Sequence, residues 1–302
     1  MTQPLDPVLA DMAARWKAAG VPDLYEGCMG PGGGPTSRER ARNIRAFLYP
    51  TPKLPTGGVE NKTIDGPHGA IPIRIVWPAV GQPIATLVFF HGGGWVLGDI
   101  DSHWGHAVRL ANNARSVVVS VDYRLAPEHR FPKAVDDAFA ATQWANGQRS
   151  GLGGAQAPLA VAGDSAGGNL AAAVAVMCRD AGLTLKAQLL IYPAVMLAGK
   201  GLPELAYLGP NAEAVGKDPK ASPMLTPTLK GVAPAIIGVG PYDFLYQDNL
   251  AYAAKLKADG AEVLLRDFPT LNHGFFSFTS ISKDSEAASN QLCADLRALL
   301  ER

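Results

Sequence analysis

The sequence predicts an α/β protein with a mostly parallel, eight-stranded sheet flanked by helices. Short apolar runs recur from about residue 60, and stretches of helical length separate most of them from the third run onward. Continuously apolar, β-branched strands that alternate with helices are typical of a parallel sheet covered on both faces. The 302 residues contain 47% hydrophobic residues, which is enough for a large core. We therefore expect one domain over residues 1–302.

Two helical patterns precede the first predicted strand. Residues 5–19 carry apolar side chains at helical spacing, and Ser37 is a candidate N-cap for a second helix over 38–48. Neither pattern belongs to a βαβ unit. We expect residues from 1 to about 55 to form part of a helical cap.

The strands and helices of the core follow in order. Strands are predicted at 61–66, 71–77, 84–91, 116–123, 158–163, 186–192, 233–240 and 261–268, and helices at 103–114, 133–147, 166–181, 247–259 and 284–300. The interval of about 194–230 breaks the alternation, because it is rich in Gly, Pro and short polar residues. It is predicted to be a second cap piece. The core would then comprise about 56–193 and 231–302.

The charge and the cysteines exclude several classes of protein. Lys+Arg and Asp+Glu both total 27, so the net charge of zero gives no field that would attract nucleic acid or an anionic membrane. No apolar run reaches the roughly 18 residues of a membrane span. The three cysteines, Cys28, Cys178 and Cys293, have no metal-binding spacing and are typical of a reducing compartment. Because Asp6 and Asp11 interrupt any signal-peptide pattern, we expect a soluble, cytoplasmic protein, either a monomer or a homodimer.

The segment Gly163-Asp164-Ser165-Ala166-Gly167 has the GxSxG pattern of a nucleophile elbow. It follows an apolar strand and opens an Ala-rich helix, which is the setting of the nucleophilic serine in α/β-hydrolases. Glycines two residues before and after the serine remove side chains that would clash in so tight a turn. An N-capping serine is the alternative, but a cap does not require these glycines. We identify Ser165 as the candidate nucleophile.

A serine hydroxyl needs a base, and the base needs a carboxylate to orient it. In this fold the order along the chain is Ser, acid, His, and His273 is the one histidine after Ser165. Asp243 is the preferred acid because it directly follows an apolar strand. The other aspartates between them are Asp180, Asp218, Asp248, Asp259 and Asp267. Asp248 falls in the first turn of the next helix, and Asp267 falls inside the last strand.

A run of three glycines after the third strand is the candidate oxyanion hole. Gly92, Gly93 and Gly94 stand between His91 and Trp95, and such a run costs too much backbone entropy to be kept for packing alone. Their amides, with that of Ala166, could donate to a tetrahedral oxyanion. Which two glycines donate stays open, with Gly93 and Gly94 preferred. A phosphate-binding loop is excluded because no Lys-Ser/Thr follows. His91 is expected to fasten the loop rather than to act in catalysis.

Taken together, these motifs resemble the hormone-sensitive-lipase-like family (bacterial family IV) of carboxylesterases, which have the α/β-hydrolase fold. The resemblance rests on HGGGW (91–95), DYRLAPEHRFP (122–132), GDSAGG (163–168), YDFL (242–245) and HGF (273–275). It implies hydrolysis of short-chain carboxylic esters of small molecules without a cofactor or a metal. It assigns Ser165, Asp243 and His273 as the triad, and the HGGG glycines with Ala166 as the oxyanion hole. Glu128, in the second motif, is expected to be structural.

The sequence departs from the family in two places. The cap interval of about 194–230 is shorter than is usual in the family, which leaves the substrate preference open. The acid motif reads DFL where the family more often has DPL. An amidase or formamidase with the same triad, a non-catalytic small-molecule binder and a true lipase are the rival hypotheses. A binder would typically lose His273, and a lipase would need a long apolar lid.

Overall fold

The computed structural model describes residues 3–18, 53–154, 156–201 and 204–302. Its eight strands are β1 Gly58–Ile64, β2 Ile71–Trp77, β3 Ala85–Phe90, β4 Ser116–Val121, β5 Leu159–Asp164, β6 Ala187–Ile191, β7 Ala235–Val239 and β8 Val263–Asp267. Its helices are α1 Pro7–Ala18, α2 Trp104–Asn113, α3 Lys133–Gly147, α4 Ala166–Asp180, α5 Glu204–Leu208, α6 Ala212–Val215, α7 Tyr246–Ala258 and α8 Lys283–Leu300. Short 3₁₀ turns lie at Arg149–Gly151, Pro223–Leu225 and Phe275–Ser277.

All eight strands join one sheet, in the order β1-β2-β4-β3-β5-β6-β7-β8. The pairings β1–β2 and β2–β4 are antiparallel, and β3–β4, β3–β5, β5–β6, β6–β7 and β7–β8 are parallel. The mostly parallel, eight-stranded sheet predicted from the sequence is confirmed. Because parallel strands end at the same edge, the loops after β3, β5, β7 and β8 gather on one side of the molecule.

The two faces of the sheet are covered by separate apolar layers. One layer contains the buried side chains of α3, α4 and α7, and the other contains those of α2 and α8 together with Leu9 of α1. Strands β3, β4 and β5 are buried along their whole length, as their continuously apolar sequences predict. In the described ranges, no helix has the length and apolarity that crossing a bilayer requires.

The first predicted helix is present as α1. The buried carboxylate of Asp6 accepts the Val8 amide at its start (2.7 Å) and the hydroxyl of Ser282 (2.5 Å). The amide of Asp6 also donates to the carbonyl of Thr270. These bonds dock α1 beside the loop that carries His273. The predicted helix over 38–48 lies outside the described residues.

The interval of about 194–230 contains two short helices, α5 and α6, and the turn at Pro223–Leu225. Asn169 of α4 donates through its side chain to the carbonyls of Ala194 (2.7 Å) and Ala221 (2.8 Å). The ring of Tyr207 stacks on Trp95 with a centroid separation of 4.7 Å. The interval is thereby attached to both α4 and the residue that follows the glycine run.

Two of the three cysteines lie in the described residues. Cys178 and Cys293 are buried free thiols, and burial raises the pKa of each to about 12. Neither thiol is therefore a nucleophile at neutral pH. Cys178 packs as a small buried residue, and Cys28 lies outside the described residues.

Candidate active site

Ser165 occupies the single residue between β5 and α4. Its backbone angles, φ 56° and ψ −116°, lie in a region that non-glycine residues rarely adopt. Such strain costs about 1–3 kcal/mol and persists only when neighbouring contacts impose it. Here the Ser165 amide donates to the carbonyl of Ile191 (2.9 Å), and the amide of Asn169 donates to the Ser165 carbonyl (3.0 Å). The serine is held at the carboxyl edge of the sheet.

The glycines that flank the serine are required by close backbone approach. A Cβ on Gly163 would lie 2.1 Å from the Gly167 carbonyl oxygen, and a Cβ on Gly167 would lie 2.0 Å from that of Phe90. Real Cβ atoms do not approach so closely. The glycines of the GxSxG pattern therefore act as the sequence predicts, by letting the turn pack against itself and against β3.

Three side chains from separate strand ends meet at this edge. The Nε2 atom of His273 lies 2.9 Å from the Oγ atom of Ser165, and its Nδ1 atom lies 2.8 Å from the Oδ2 atom of Asp243. A carboxylate only accepts, so Nδ1 carries the ring proton and Nε2 is left to accept the serine proton. The other oxygen of Asp243 accepts the Leu245 amide (2.7 Å). This is the arrangement of a nucleophile, a base and an orienting acid.

The imidazole of His273 contacts two aromatic rings. The ring of Tyr192 is 4.8 Å away and that of Phe244 is 4.6 Å away, measured between centroids. The His273 side chain keeps 23% of its surface exposed, whereas the Asp243 side chain is fully buried. The His273 ring is therefore partly accessible from outside the protein, while its carboxylate partner is screened from water.

The remaining candidate acids have other partners. Asp248 lies in the first turn of α7, as predicted, and pairs with Lys200 at 2.8 Å. Asp267 is the last residue of β8 and accepts the hydroxyl of Tyr246 (2.7 Å). Glu128 is exposed. Among the carboxylates that the sequence offered, Asp243 is the one that contacts His273.

The glycine loop turns tightly after β3. Gly93 and Gly94 have φ values of 122° and 60°, which favour glycine, and the amides of Val96 and Leu97 both donate to the Gly93 carbonyl. The amides of Gly93, Gly94 and Ala166 have no acceptor within the described parts of the chain. These are the donors that a developing oxyanion needs.

Gly92 is the one candidate donor that the structure excludes. Its amide donates to the Oδ1 atom of Asp164 at 2.9 Å, so it is not available to a substrate. The sequence could not show this, because it depends on a contact between residues that are 72 positions apart. Two of the three glycine amides remain, Gly93 and Gly94, as preferred from the sequence.

His91 fastens the glycine loop, as predicted. Its ring stacks on Tyr123 (4.3 Å between centroids), the Tyr123 hydroxyl donates to the His91 carbonyl (2.6 Å), and Nδ1 lies 2.9 Å from the Gly92 carbonyl oxygen. Desolvation by burial, with the nearby His103, lowers the pKa of His91 to about 3. The imidazole is neutral at physiological pH and is part of the packing.

A cluster of polar side chains behind the serine was not predicted from the sequence. In the part of the chain that the structure describes, one group could supply a metal ion with three ligands, namely His103, His106 and Asp164, whose ligand atoms lie within 4.8 Å of one another. All three residues are buried. The signals were present, since Asp164 ends a strand directly before Ser165 and the histidines are three residues apart at the start of a helix. Neither pattern predicts a functional cluster by itself, because the three residues become neighbours only in the folded protein.

The fold and this set of groups define an α/β-hydrolase. A family model described as the alpha/beta hydrolase fold matches residues 87–277. The chain belongs to the hormone-sensitive-lipase-like family (bacterial family IV) of carboxylesterases, and the resemblance stated from the motifs is confirmed.

Individual relatives agree with this assignment. The chain is 39% identical to carboxylesterase NlhH of Mycobacterium tuberculosis over 288 residues, which is 86% of this chain and 88% of that protein. It is 39% identical to carboxylic ester hydrolase LipN of the same organism over 268 residues, 81% of this chain and 71% of that protein. A solved structure of a hyperthermophilic esterase from the archaeon Pyrobaculum calidifontis superposes with a TM-score of 0.83 and 35% identity, covering 98% of this chain and 99% of that one.

Proposed function

We propose that this protein is a serine carboxylesterase that hydrolyses short-chain esters of small molecules through an acyl-enzyme. Ser165 is the nucleophile, His273 the general base and acid, and Asp243 the residue that orients the imidazole. The amides of Gly93, Gly94 and Ala166 form the oxyanion hole. The observation that carries the proposal is the continuous contact from Ser165 Oγ through His273 to Asp243, at 2.9 and 2.8 Å, beside amides with no acceptor in the described residues.

The reaction proceeds in two acyl transfers. Ser165 Oγ attacks the ester carbonyl while His273 Nε2 takes the hydroxyl proton, and the oxyanion is stabilised by the backbone amides. The tetrahedral intermediate collapses, the C–O bond to the alcohol breaks, and His273 returns the proton to the departing oxygen. Water, deprotonated by His273, then attacks the acyl-enzyme, the bond between the acyl carbon and Ser165 Oγ breaks, and His273 returns the proton to Ser165 as the acid leaves. Each proton transfer uses the nitrogen that lies 2.9 Å from Ser165.

The central test is the Ser165→Ala variant with p-nitrophenyl butyrate as substrate. We expect turnover to fall by several orders of magnitude. The activity that remains should be the acceleration of about 10³–10⁴ over water that typically survives loss of a triad member. Alanine keeps the Cβ of serine, so the backbone strain at this position is unchanged and the thermal unfolding midpoint should stay close to that of wild type. Retention of wild-type turnover in the purified variant would contradict the proposal.

The substrate class needs a separate measurement. The preference for short acyl chains is supported by the family resemblance, whereas the short interval of about 194–230 leaves it open. A series of p-nitrophenyl esters from acetate to laurate should give the highest kcat/KM at four carbons or fewer. A maximum at the long-chain esters would favour a lipase. Faster hydrolysis of an anilide than of the matched ester would favour an amidase.

A cytoplasmic location is a further part of the proposal, and both a monomer and a homodimer remain compatible with it. The location is supported by the two buried, unpaired thiols in the described residues. Cell fractionation tests the location, and light scattering coupled to size-exclusion chromatography distinguishes the two assemblies.

A further inference from the structure

Three buried polar side chains lie directly behind the nucleophile and take no part in the proton transfers described above. Asp164 ends β5, and His103 and His106 lie at the start of α2. Their exposed fractions are 2%, 0% and 7%. Buried polar groups of this kind are costly unless they are hydrogen-bonded. The hydrogen-bond partners of these three side chains therefore indicate their role in the structure.

Asp164 joins the nucleophile elbow to the glycine loop. Its Oδ1 atom accepts the Gly92 amide at 2.9 Å. A Cβ on Gly92 would lie 2.3 Å from the Oδ2 atom, so the loop can approach the carboxylate only because residue 92 is glycine. Gly92 begins the run that ends with the two candidate oxyanion donors, and Asp164 immediately precedes Ser165. One carboxylate thus fixes the start of the donor loop relative to the nucleophile.

The second oxygen of Asp164 faces His103. The distance from His103 Nε2 to Asp164 Oδ2 is 3.7 Å, and His103 Nδ1 lies 3.1 Å from the Oγ atom of Ser102. Both sides of this ring therefore face polar atoms inside the protein. The imidazole is therefore a close polar neighbour of the second carboxylate oxygen.

His106 extends the cluster to the loop of the catalytic base. Its ring centroid lies 4.8 Å from that of His103. Its Nε2 atom lies 3.3 Å from the Oγ atom of Ser277. Ser277 ends the 3₁₀ turn that directly follows the His273 loop. The cluster is therefore in contact with the glycine loop, the nucleophile elbow and the loop of the base.

We propose that Asp164 is a positioning residue for the oxyanion hole, held in place by His103 and His106. The inference rests on the proposed function, since it takes Ser165 as the nucleophile and the Gly93 and Gly94 amides as donors. Asp164 contacts none of the reacting atoms and acts through the Gly92 peptide. Donors stabilise an oxyanion only when they are already aimed at its position. Loss of the carboxylate should therefore weaken binding of the transition state more than binding of the substrate.

The test compares Asp164→Ala with Asp164→Asn. Alanine removes the acceptor for the Gly92 amide, whereas asparagine keeps an acceptor oxygen, and His103 can switch tautomer to accept from the new NH₂ group. We expect kcat for p-nitrophenyl butyrate to fall about 10- to 100-fold in Asp164→Ala, less than the 10²–10³ typical for loss of a whole donor. KM should change less than about threefold, and Asp164→Asn should stay within about fivefold of wild type.

The decisive measurement is the affinity for a trifluoromethyl ketone, which forms a tetrahedral oxyanion on the serine. Its inhibition constant should rise by the same factor as kcat falls, while that of a substrate-like secondary alcohol, which forms no oxyanion, stays unchanged. Asp137→Ala is the matched control, because Asp137 is a fully buried aspartate of α3 that binds Arg124. It should lower the unfolding temperature without changing the affinity for the ketone. If Asp164→Ala does not fold, Asp164→Ser, whose side chain is shorter by one bond, takes its place.

Equal affinity of wild type and the Ala or Ser variant for the ketone would overturn the inference. Loss of wild-type activity on dialysis against a chelator, with recovery on adding Zn²⁺, would also overturn it, in favour of a metal bound by the same three side chains. Failure of the proposed function gives a different result, namely no binding of the ketone by wild type and full activity in Ser165→Ala.

Discussion

Replacing Asp243 with asparagine tests the assignment of the acid at the level of single atoms. In the wild type, Oδ1 accepts the Leu245 amide (2.7 Å) and Oδ2 accepts the Nδ1 proton of His273 (2.8 Å). In the variant the Leu245 amide, which can only donate, keeps the one remaining oxygen, so the NH₂ group faces His273 Nδ1. That nitrogen must then accept, and the ring proton moves to Nε2. Nε2 can no longer take the proton of Ser165.

The expected loss in kcat at pH 7 is about 10⁴-fold, which is the effect of the wrong tautomer in other serine enzymes and corresponds to about 5.4 kcal/mol in activation free energy. The assay is turnover of p-nitrophenyl butyrate, together with thermal unfolding to show that the fold is retained. Asp248→Asn is the matched control, since Asp248 lies five residues away and pairs with Lys200 rather than with His273. Its kcat should stay within about twofold of wild type. A loss below tenfold in Asp243→Asn, or an equal loss in both variants, would refute the assignment.

Three further predictions follow from individual contacts. Gly167→Ala places a Cβ 2.0 Å from a carbonyl oxygen of β3 and should lower the free energy of unfolding, measured in urea, by about 3 kcal/mol or more. Gly147→Ala is the control, since a Cβ there has nothing within 4 Å, and it should be neutral or stabilising by up to about 1 kcal/mol. Burial lowers the pKa of His91 from 6.5 to about 3, so the unfolded state binds more protons than the folded state between these two pH values. The stabilisation that is present above pH 6.5 should therefore be lost as the pH falls towards 3, at up to about 1.4 kcal/mol per pH unit. His91→Gln should flatten that slope, and an unchanged slope would contradict the role of burial. The Phe244 side chain is 75% exposed, so Phe244→Leu should leave the unfolding temperature unchanged. The lost ring contact with His273 should lower kcat/KM about three- to tenfold. An unchanged kcat/KM would show that the reaction does not use this contact.

The order of the secondary structure could be predicted from the sequence because each buried strand here is a local pattern. Strands β3 to β7 are continuously apolar and end within one or two residues of their predicted bounds. The antiparallel pairing of β2 with β4 was not predicted, and neither was the position of β4 between β2 and β3. Strand order depends on which distant surfaces pack together, and no local pattern records it.

The candidate triad was predictable for a similar reason. Ser165, Asp243 and His273 each directly follow, or lie in the loop after, an apolar strand, and the carboxyl ends of parallel strands share one edge. The predicted cap is the contrasting case. Its second piece was predicted from composition over about 194–230, but the short helices α5 and α6 and the stacking of Tyr207 on Trp95 were not. Short helices without a long apolar period give a weak local signal.

The sequence alone therefore determined the fold class, the family and the three residue types that would perform acyl transfer, because these depend on local apolar patterns and on motifs at fixed spacing. Tertiary structure decided how the glycine amides are used: Gly92 is engaged by Asp164, while Gly93 and Gly94 have no acceptor among the described residues. It also brought His103 and His106 against Asp164. The physical reason is that a hydrogen bond is set by distance and direction between atoms, and for residues 72 positions apart these exist only once the sheet has formed.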